Sequence, residues 1–497
     1  MASAMCRLRL LLFLFPALLA ADVRLPALIG DHMLIQQDMP VHLWGWADTG
    51  EEVTAAIGGN SASTTAGEDG RWSLYLNPLP AGGPHRIEIR GKNRIEVDDA
   101  LVGEVWVGSG QSNMVWPVER SNNAEKEIAA ANDGRIRLFK VKLETADEPK
   151  EDVEGEWMVC SPQTVASFSG AGYFFARHLR AELQRPVGII QSAWGGTPAQ
   201  AWTPIESLDS DPALHVFVDD WRRVLDEYPR AQKRFEAAQE AWEKKGDQKA
   251  PRPRAPLGPG HHHQPAALYN AMIAPLTPYP IRGVIWYQGE NNAGRNQGYE
   301  YRRLFRTMIE DWRAKWGVGP FPFLWVQLAN YGRAAEDSQW PELREAQSMA
   351  LGLTNTGQAV TIDIGESDDI HPKNKQDVGT RLALAARAVA YGDQKVVYSG
   401  PVFRQMTAEG DKLRLWFDHV GGGLVGKSGL EGFQVAGPDG RFHVADAVID
   451  GQTVVVSSPH VEHPVAARYG WHRDPKATLF NREGLPASPF RTDQWRD

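Results

Sequence analysis

The sequence predicts an α/β protein, a parallel sheet with flanking helices set between N-terminal and C-terminal β-sandwich-like regions. Its 497 residues exceed what one core holds and imply about two to four domains of roughly 150 residues. Between residues 101 and 392, apolar strands alternate with helical stretches, the pattern of a sheet covered on both faces. On either side the hydrophobic period falls to two. The composition, 42% hydrophobic and 23% charged, excludes a disordered or collagen-like chain. With 62 acidic against 53 basic residues and a net charge of -9, no field for polyanions exists, so nucleic acid is not an expected partner.

Residues 1–21, MASAMCRLRLLLFLFPALLAA, read as a signal peptide. Arg7 and Arg9 precede an apolar run, Leu10 to Ala20, too short for a transmembrane span, and small residues follow it. The protein is therefore expected to be secreted or periplasmic, with no membrane anchor after cleavage near Ala20 or Ala21. Cleavage removes Cys6 and leaves Cys160 in the apolar string WMVC, so no intrachain disulfide is expected.

Residues 22–100 form the expected N-terminal β domain, from runs such as VHLWGW, EVTAAI, RWSLYL and HRIEIR between turn residues. Residues 101–394 form the α/β domain. Its strands are expected at 102–107, 135–141, 186–191, 282–288, 322–328 and 359–364, and helices at 171–183 and 302–316. An insertion covers about 210–262, a charged helix striped by Phe217, Trp221, Val224 and Leu225 that ends in PRPRAPLGPG. Residues 395–497 return to period two, in KLRLWF and TVVVSS, as a C-terminal β domain.

The strand VGEVWV runs directly into GSGQSN, which puts Ser112 at the carboxyl end of a parallel strand, where open α/β sheets bind ligands. Gly108 and Gly110 permit a tight turn that exposes the hydroxyl and leaves a backbone N–H for an oxyanion. Ser112 is the candidate nucleophile and Ser109 its local competitor. Met114 stands where the α/β-hydrolase elbow needs its second glycine.

A serine hydroxyl needs a neutral base with a carboxylate behind it. The segment GESDDIHPKNKQ offers His371 with Asp368 three residues before it and Asp369 as the alternative orienter. Oxyanion donors are expected where SAWGGTP and GENN leave their strands, at Gly195 or Gly196 and at the Asn291 amide. Met singly, each feature reads as a turn or helix cap, but four strand exits share one sheet edge.

Together GQSNM, SAWGGTP, WYQGENN and DDIHPKNKQ resemble the sialate O-acetylesterase family of SGNH hydrolases. The opening LPALIGDHMLIQQDMPVHLWGWADTGEEV and the closing RYGWHRDPKATLFNREGLPASPFRTDQW extend the likeness over nearly the whole mature chain. The resemblance implies an SGNH-hydrolase-like fold with Ser112 as nucleophile, His371 as base, Asp368 as its partner, and Gly196 and Asn291 as oxyanion donors. It implies a serine esterase that removes O-acetyl groups from carbohydrates, with acetylated sialic acid as the named substrate and no cofactor.

Xylan or xyloglucan acetyl groups would suit the same machinery, and a non-catalytic glycan-binding protein is the alternative of a different class. Gln111, Trp194 and Gln288 are candidate substrate contacts, as are Asn113, Trp116, Trp202 and Trp286 along the same edge. Glu290 with Asp363, Glu366 or Asp368 forms a glycosidase alternative, which leaves the serine turn without a task. Three consecutive histidines, His261 to His263, lack zinc-site spacing and are expected to point apart, so no metal is assigned.

Overall fold

The computed structural model describes residues 22–245, 251–332 and 339–495. The signal-peptide reading of residues 1–21 lies outside them. At the centre is a mixed sheet in which seven strands carry the α/β layer: β1 (Arg94–Gly110), β2 (Asp133–Lys140), β3 (Trp157–Cys160), β4 (Val187–Ala193), β5 (Gly283–Tyr287), β6 (Phe323–Val326) and β7 (Thr356–Ala359). Their order is β7-β6-β5-β1-β4-β2-β3, parallel except for the edge pair β2 and β3. β1 is the hinge of this order, since the chain first builds outward on its β4 side and then on its β5 side.

Both faces of these strands are covered, and the alternation along β1 shows it. Val105 and Val107 enter one core with Trp286, Trp312 and Trp325, while Trp106 enters the other with Phe174 and Phe175. Helices α1 (Ser112–Val115), α2 (Gly170–Leu183), α3 (His215–Lys245), α4 (Glu290–Ala293), α5 (Gly298–Trp316), α6 (Gln339–Met349) and α7 (Lys375–Tyr391) connect the strands or flank them. In α5 the buried residues Tyr301, Leu304, Phe305, Met308, Ile309 and Trp312 recur at helical spacing, which is why this helix forms and why it packs where it does. Gly379 of α7 lies directly against the backbone of Phe174 and Phe175, so α2 and α7 approach as closely as backbone allows.

β1 is seventeen residues long and passes through the expected boundary at residue 100. Its first half pairs antiparallel with Gly82–Arg90 and its second half parallel with β4 and β5, so one strand serves the N-terminal β region and the α/β layer. The C-terminal region forms two four-stranded sheets around a separate core that includes Leu413, Val454, Phe433 and Tyr469. Arg344 of α6 ties it to the α/β layer. Its buried guanidinium donates to the carbonyls of Leu328, Ala329, His472 and Arg473.

Three expectations change. The last strand is Thr356–Ala359, and the apolar run Val360–Ile364 continues as turns instead of pairing. The edge strand Trp157–Cys160 was not foreseen. The insertion helix is 31 residues long, and along the expected stripe Phe217 is buried, Trp221 and Val224 are half-buried and Leu225 is exposed. Cys160 is buried, and burial pushes its thiol up to about 11, which leaves it unreactive at neutral pH. Among the described residues no helix is long and apolar enough to cross a membrane.

Candidate active site

The strands flanking β1 end level with it: Ala193 of β4 and Tyr287 of β5 both pair with Gly110. Gly110 has φ of 134°, and a Cβ there would lie 2.2 Å from the Tyr287 carbonyl oxygen. Only glycine fits, for reasons of both torsion and space. Gly108 shows no such need, since its nearest contacts are at an ordinary 3.5 Å. The chain then turns, Gln111 N donating to Tyr287 O at 2.9 Å, and Ser112 opens α1 at the rim. Ser109 is buried in β1, its hydroxyl without a partner among the described residues, so it does not compete.

The loop after β7 carries His371 back to this turn. Its Nε2 lies 2.9 Å from Ser112 Oγ, a hydrogen bond of the kind through which an imidazole takes a hydroxyl proton. Trp116, at the end of α1, stacks on the imidazole with centroids 5.0 Å apart and planes at 13°. The carboxylate facing Nδ1 is that of Asp369, at 3.6 Å, and the same oxygen accepts from the His371 backbone N–H at 2.9 Å. Asp368, the other candidate partner, is exposed, while Asp369 favours the imidazolium. Partial burial holds the His371 pKa below 6.5, opposed by Asp369 and assisted by Lys375.

The two other strand exits meet beside Ser112. A Cβ on Gly195 would lie 3.4 Å from Ser112 Cβ, so this glycine packs on the nucleophile turn. Gly196, at φ 76°, is the exposed tip of the loop, and its carbonyl accepts from Asn291 Nδ2 at 2.6 Å. Asn291 is oriented in turn by its backbone N–H, which donates to Gln111 Oε1 at 3.2 Å. A hydroxyl, an imidazole and two amide-bearing loops on one rim can form and hold a tetrahedral oxyanion.

Comparison with known proteins agrees with this chemistry. The family model for carbohydrate esterases, described as sialic acid-specific acetylesterase, matches residues 102–246 and 257–388. The chain belongs to this family. The esterase is 32% identical to rat sialate O-acetylesterase over 80% of its own length and 79% of the relative's. It is 28% identical to the human sialate O-acetylesterase, covering 94% of this chain and 92% of that one. Among solved structures, a carbohydrate acetylesterase from Xanthomonas citri superposes with a TM-score of 0.83 at 41% identity, covering 95% of this chain and all of the other.

The remaining candidates of the esterase divide between wall and support. Gln288 is fully buried, donating to Thr197 O and Asn292 Oδ1 and accepting from the Tyr301 hydroxyl, so it buttresses the β5 exit instead of meeting substrate. Gln111 is also buried and spends its carbonyl on Gly289 N and Asn291 N. Trp202 and Trp286 belong to the buried tryptophan cluster. Trp194 stays half-buried at the rim, stacked on His262 at 4.9 Å.

The three histidines do not point apart. Their ligating atoms lie within 4.8 Å of one another, because His261 stacks on His262 and His263 stands edge-on to both. His261 Nδ1 accepts from His263 N, and Arg295 meets His263 Nδ1 at 2.8 Å. Burial lowers His262 to about 4, so this wall is neutral at pH 7. The glycosidase alternative loses its acids: Asp363 pairs with Arg381, and Glu290 lies buried behind the serine turn. Lys375, the buried first residue of α7, was missed, and nothing in the local pattern KNKQ distinguishes it from exposed Lys373.

Proposed function

We propose that the protein removes O-acetyl groups from carbohydrates by nucleophilic catalysis at Ser112. His371 takes the Ser112 proton as Oγ attacks the acetyl carbonyl. The N–H groups of Ser112 and Gly196 and the second Asn291 amide hydrogen hold the oxyanion. The tetrahedral intermediate collapses as His371 protonates the sugar oxygen, leaving an acetyl-enzyme. Water, deprotonated by the same imidazole, attacks the acetyl group and releases acetate with Ser112 restored. Asp369, in place of Asp368, stabilises the imidazolium in both halves.

The single observation that carries this reading is the 2.9 Å contact between His371 Nε2 and Ser112 Oγ, made across 259 residues of sequence. Hydrolysis of p-nitrophenyl acetate by wild type and by Ser112→Ala tests it. Loss of turnover in the variant supports the reading, equal turnover in both refutes Ser112 as the nucleophile, and no turnover in either favours glycan binding without catalysis.

Acetylated sialic acid is the first substrate to test, on the strength of the family and of the mammalian relatives' names. The Xanthomonas citri relative is named only for carbohydrate, and the reacting groups touch nothing beyond the ester, so acetylated xylan and xyloglucan belong in the same acetate-release panel. The order of basic, apolar and small residues in 1–21 supports export to the periplasm or medium, which N-terminal sequencing of the mature protein checks.

A further inference from the structure

Beneath the serine turn lies a buried polar layer that the reaction itself does not use. Asn113, next to Ser112, is 1% exposed, and its amide donates to Glu290 Oε1 at 2.6 Å and to the Ile370 carbonyl at 2.9 Å. Lys375 is fully buried, and its ammonium donates to Asn113 Oδ1 at 2.6 Å and to the Pro372 carbonyl at 2.7 Å. The two carbonyls so held, of Ile370 and Pro372, flank His371. Gly170 at the start of α2 makes room for the lysine stem, since a Cβ there would come 3.2 Å from Lys375 Cβ.

We propose that Lys375 is a positioning residue for the esterase reaction: with Asn113 it grips the peptides on both sides of His371 and fixes the imidazole against Ser112. This rests on the reading of Ser112 and His371 given above. Burial of a lysine is costly, and a stem of this length packed for bulk alone would be better served by methionine. What the ammonium adds is two directed hydrogen bonds to opposite halves of the site.

The groups around this layer also set its charge. Glu290 on α4, with Glu366 and Asp369 on the histidine loop, favours the cation, while burial pushes Lys375 down to about 7. Where His371 titrates, below 6.5, Lys375 is therefore mostly charged and opposes the imidazolium, which Asp369 favours. The Tyr287 phenol beneath stays protonated, its pKa raised by burial and by Glu290.

The test compares wild type, Lys375→Met, Asn113→Ser and Ser112→Ala for kcat, KM and the pH profile on p-nitrophenyl acetate, with thermal midpoints alongside. Lys375→Met is expected to lose about 100-fold in kcat, as a small misplacement of a reacting group does. Its KM should stay within about twofold, its midpoint should fall because Asn113 Oδ1 and the Pro372 carbonyl lose their donor, and its acid limb should move to higher pH because the opposing cation is gone. A merely structural lysine would lower the midpoint while kcat per folded molecule and the limb stay at wild type, and that result overturns the proposal. Should Lys375→Met not fold, Asn113→Ser decides: a loss in kcat with an unmoved limb supports the grip, and wild-type kcat overturns it. If Ser112→Ala is inactive while both other variants match wild type, only this proposal fails; an active Ser112→Ala removes the site reading itself.

Discussion

Replacing Asp369 by Asn separates the two loop aspartates and measures what the carboxylate contributes. Asparagine keeps an oxygen to accept from the His371 backbone N–H, so the loop geometry is preserved while the charge is lost. The carboxylate stands 3.6 Å from Nδ1, too long for a good hydrogen bond, so its effect on the imidazolium is mainly Coulombic. At that distance a unit pair is worth about 1 kcal/mol in water and roughly 4 to 5 kcal/mol at an effective dielectric of 20. The Asp369 side chain is 44% exposed, which places the interaction near the lower end, at about 1 to 2 kcal/mol.

Turnover by Asp369→Asn should therefore fall about 10-fold on the pH plateau. The direction of the pH effect follows from the sign of the charge. Asp369 raises the His371 pKa and burial lowers it, burial being the larger, so the wild-type acid limb of kcat/KM lies below 6.5. Removing the carboxylate lowers that pKa further, and the limb moves to lower pH. The assay is p-nitrophenyl acetate hydrolysis from pH 4 to 9 for wild type, Asp369→Asn and Asp368→Asn. A larger loss in Asp368→Asn than in Asp369→Asn, or a limb that moves upward in Asp369→Asn, refutes the reasoning.

Two further substitutions test the scaffold. Gly110→Ala puts a methyl carbon 2.2 Å from the Tyr287 carbonyl oxygen at a φ of 134°, so it should lower the thermal midpoint and cut kcat as the serine turn shifts, with a torsional cost of about 1 to 3 kcal/mol. Gly108→Ala, which meets only ordinary contacts, serves as the control in the same melts and assays. Arg344→Met leaves four carbonyls, those of Leu328 and Ala329 buried, without their donor and should cost about 3 kcal/mol, read as a lower midpoint in thermal melts with kcat per folded molecule retained.

Most of the nucleophile side of the site was legible because glycine is tied to backbone shape. Gly110 and Gly196 sit at positive φ where strands end, and a strand end followed by glycine is visible in one dimension. The placement of Gln288 was also within reach, since period-two alternation puts it on the face of Trp286, which is core. The choice between Asp368 and Asp369 was not, because one residue in a turn reverses a side chain's direction and no periodicity governs it. Lys375 was hidden for another reason: its partners are Asn113 and Glu290, far away in sequence, and only tertiary contact makes a lysine there tolerable. The run Val360–Ile364 misled because burial beside the sheet calls for the same residues as membership in it.

The topology explains why the two halves of the site differ in how they are held. Ser112, Gly195, Gly196 and Asn291 leave three adjacent strands that end in register, so the sheet's hydrogen bonds fix their spacing. His371 follows β7, three strands from β1, or about 14 Å across the sheet at the usual strand spacing. The segment between β7 and α7 must cross that distance as turns, without a ladder to set its register. Its position is determined by side chains instead: Arg381 holds Asp363 and the Val360 carbonyl, Glu366 accepts from Lys373 N, and Asn113 and Lys375 take the carbonyls around the histidine. The nucleophile's place is thus set by the sheet, and the base's by a chain of polar side-chain contacts. Loosening any one of those contacts moves the imidazole relative to a hydroxyl that stays still, so substitutions in this loop should act on kcat more than on substrate binding.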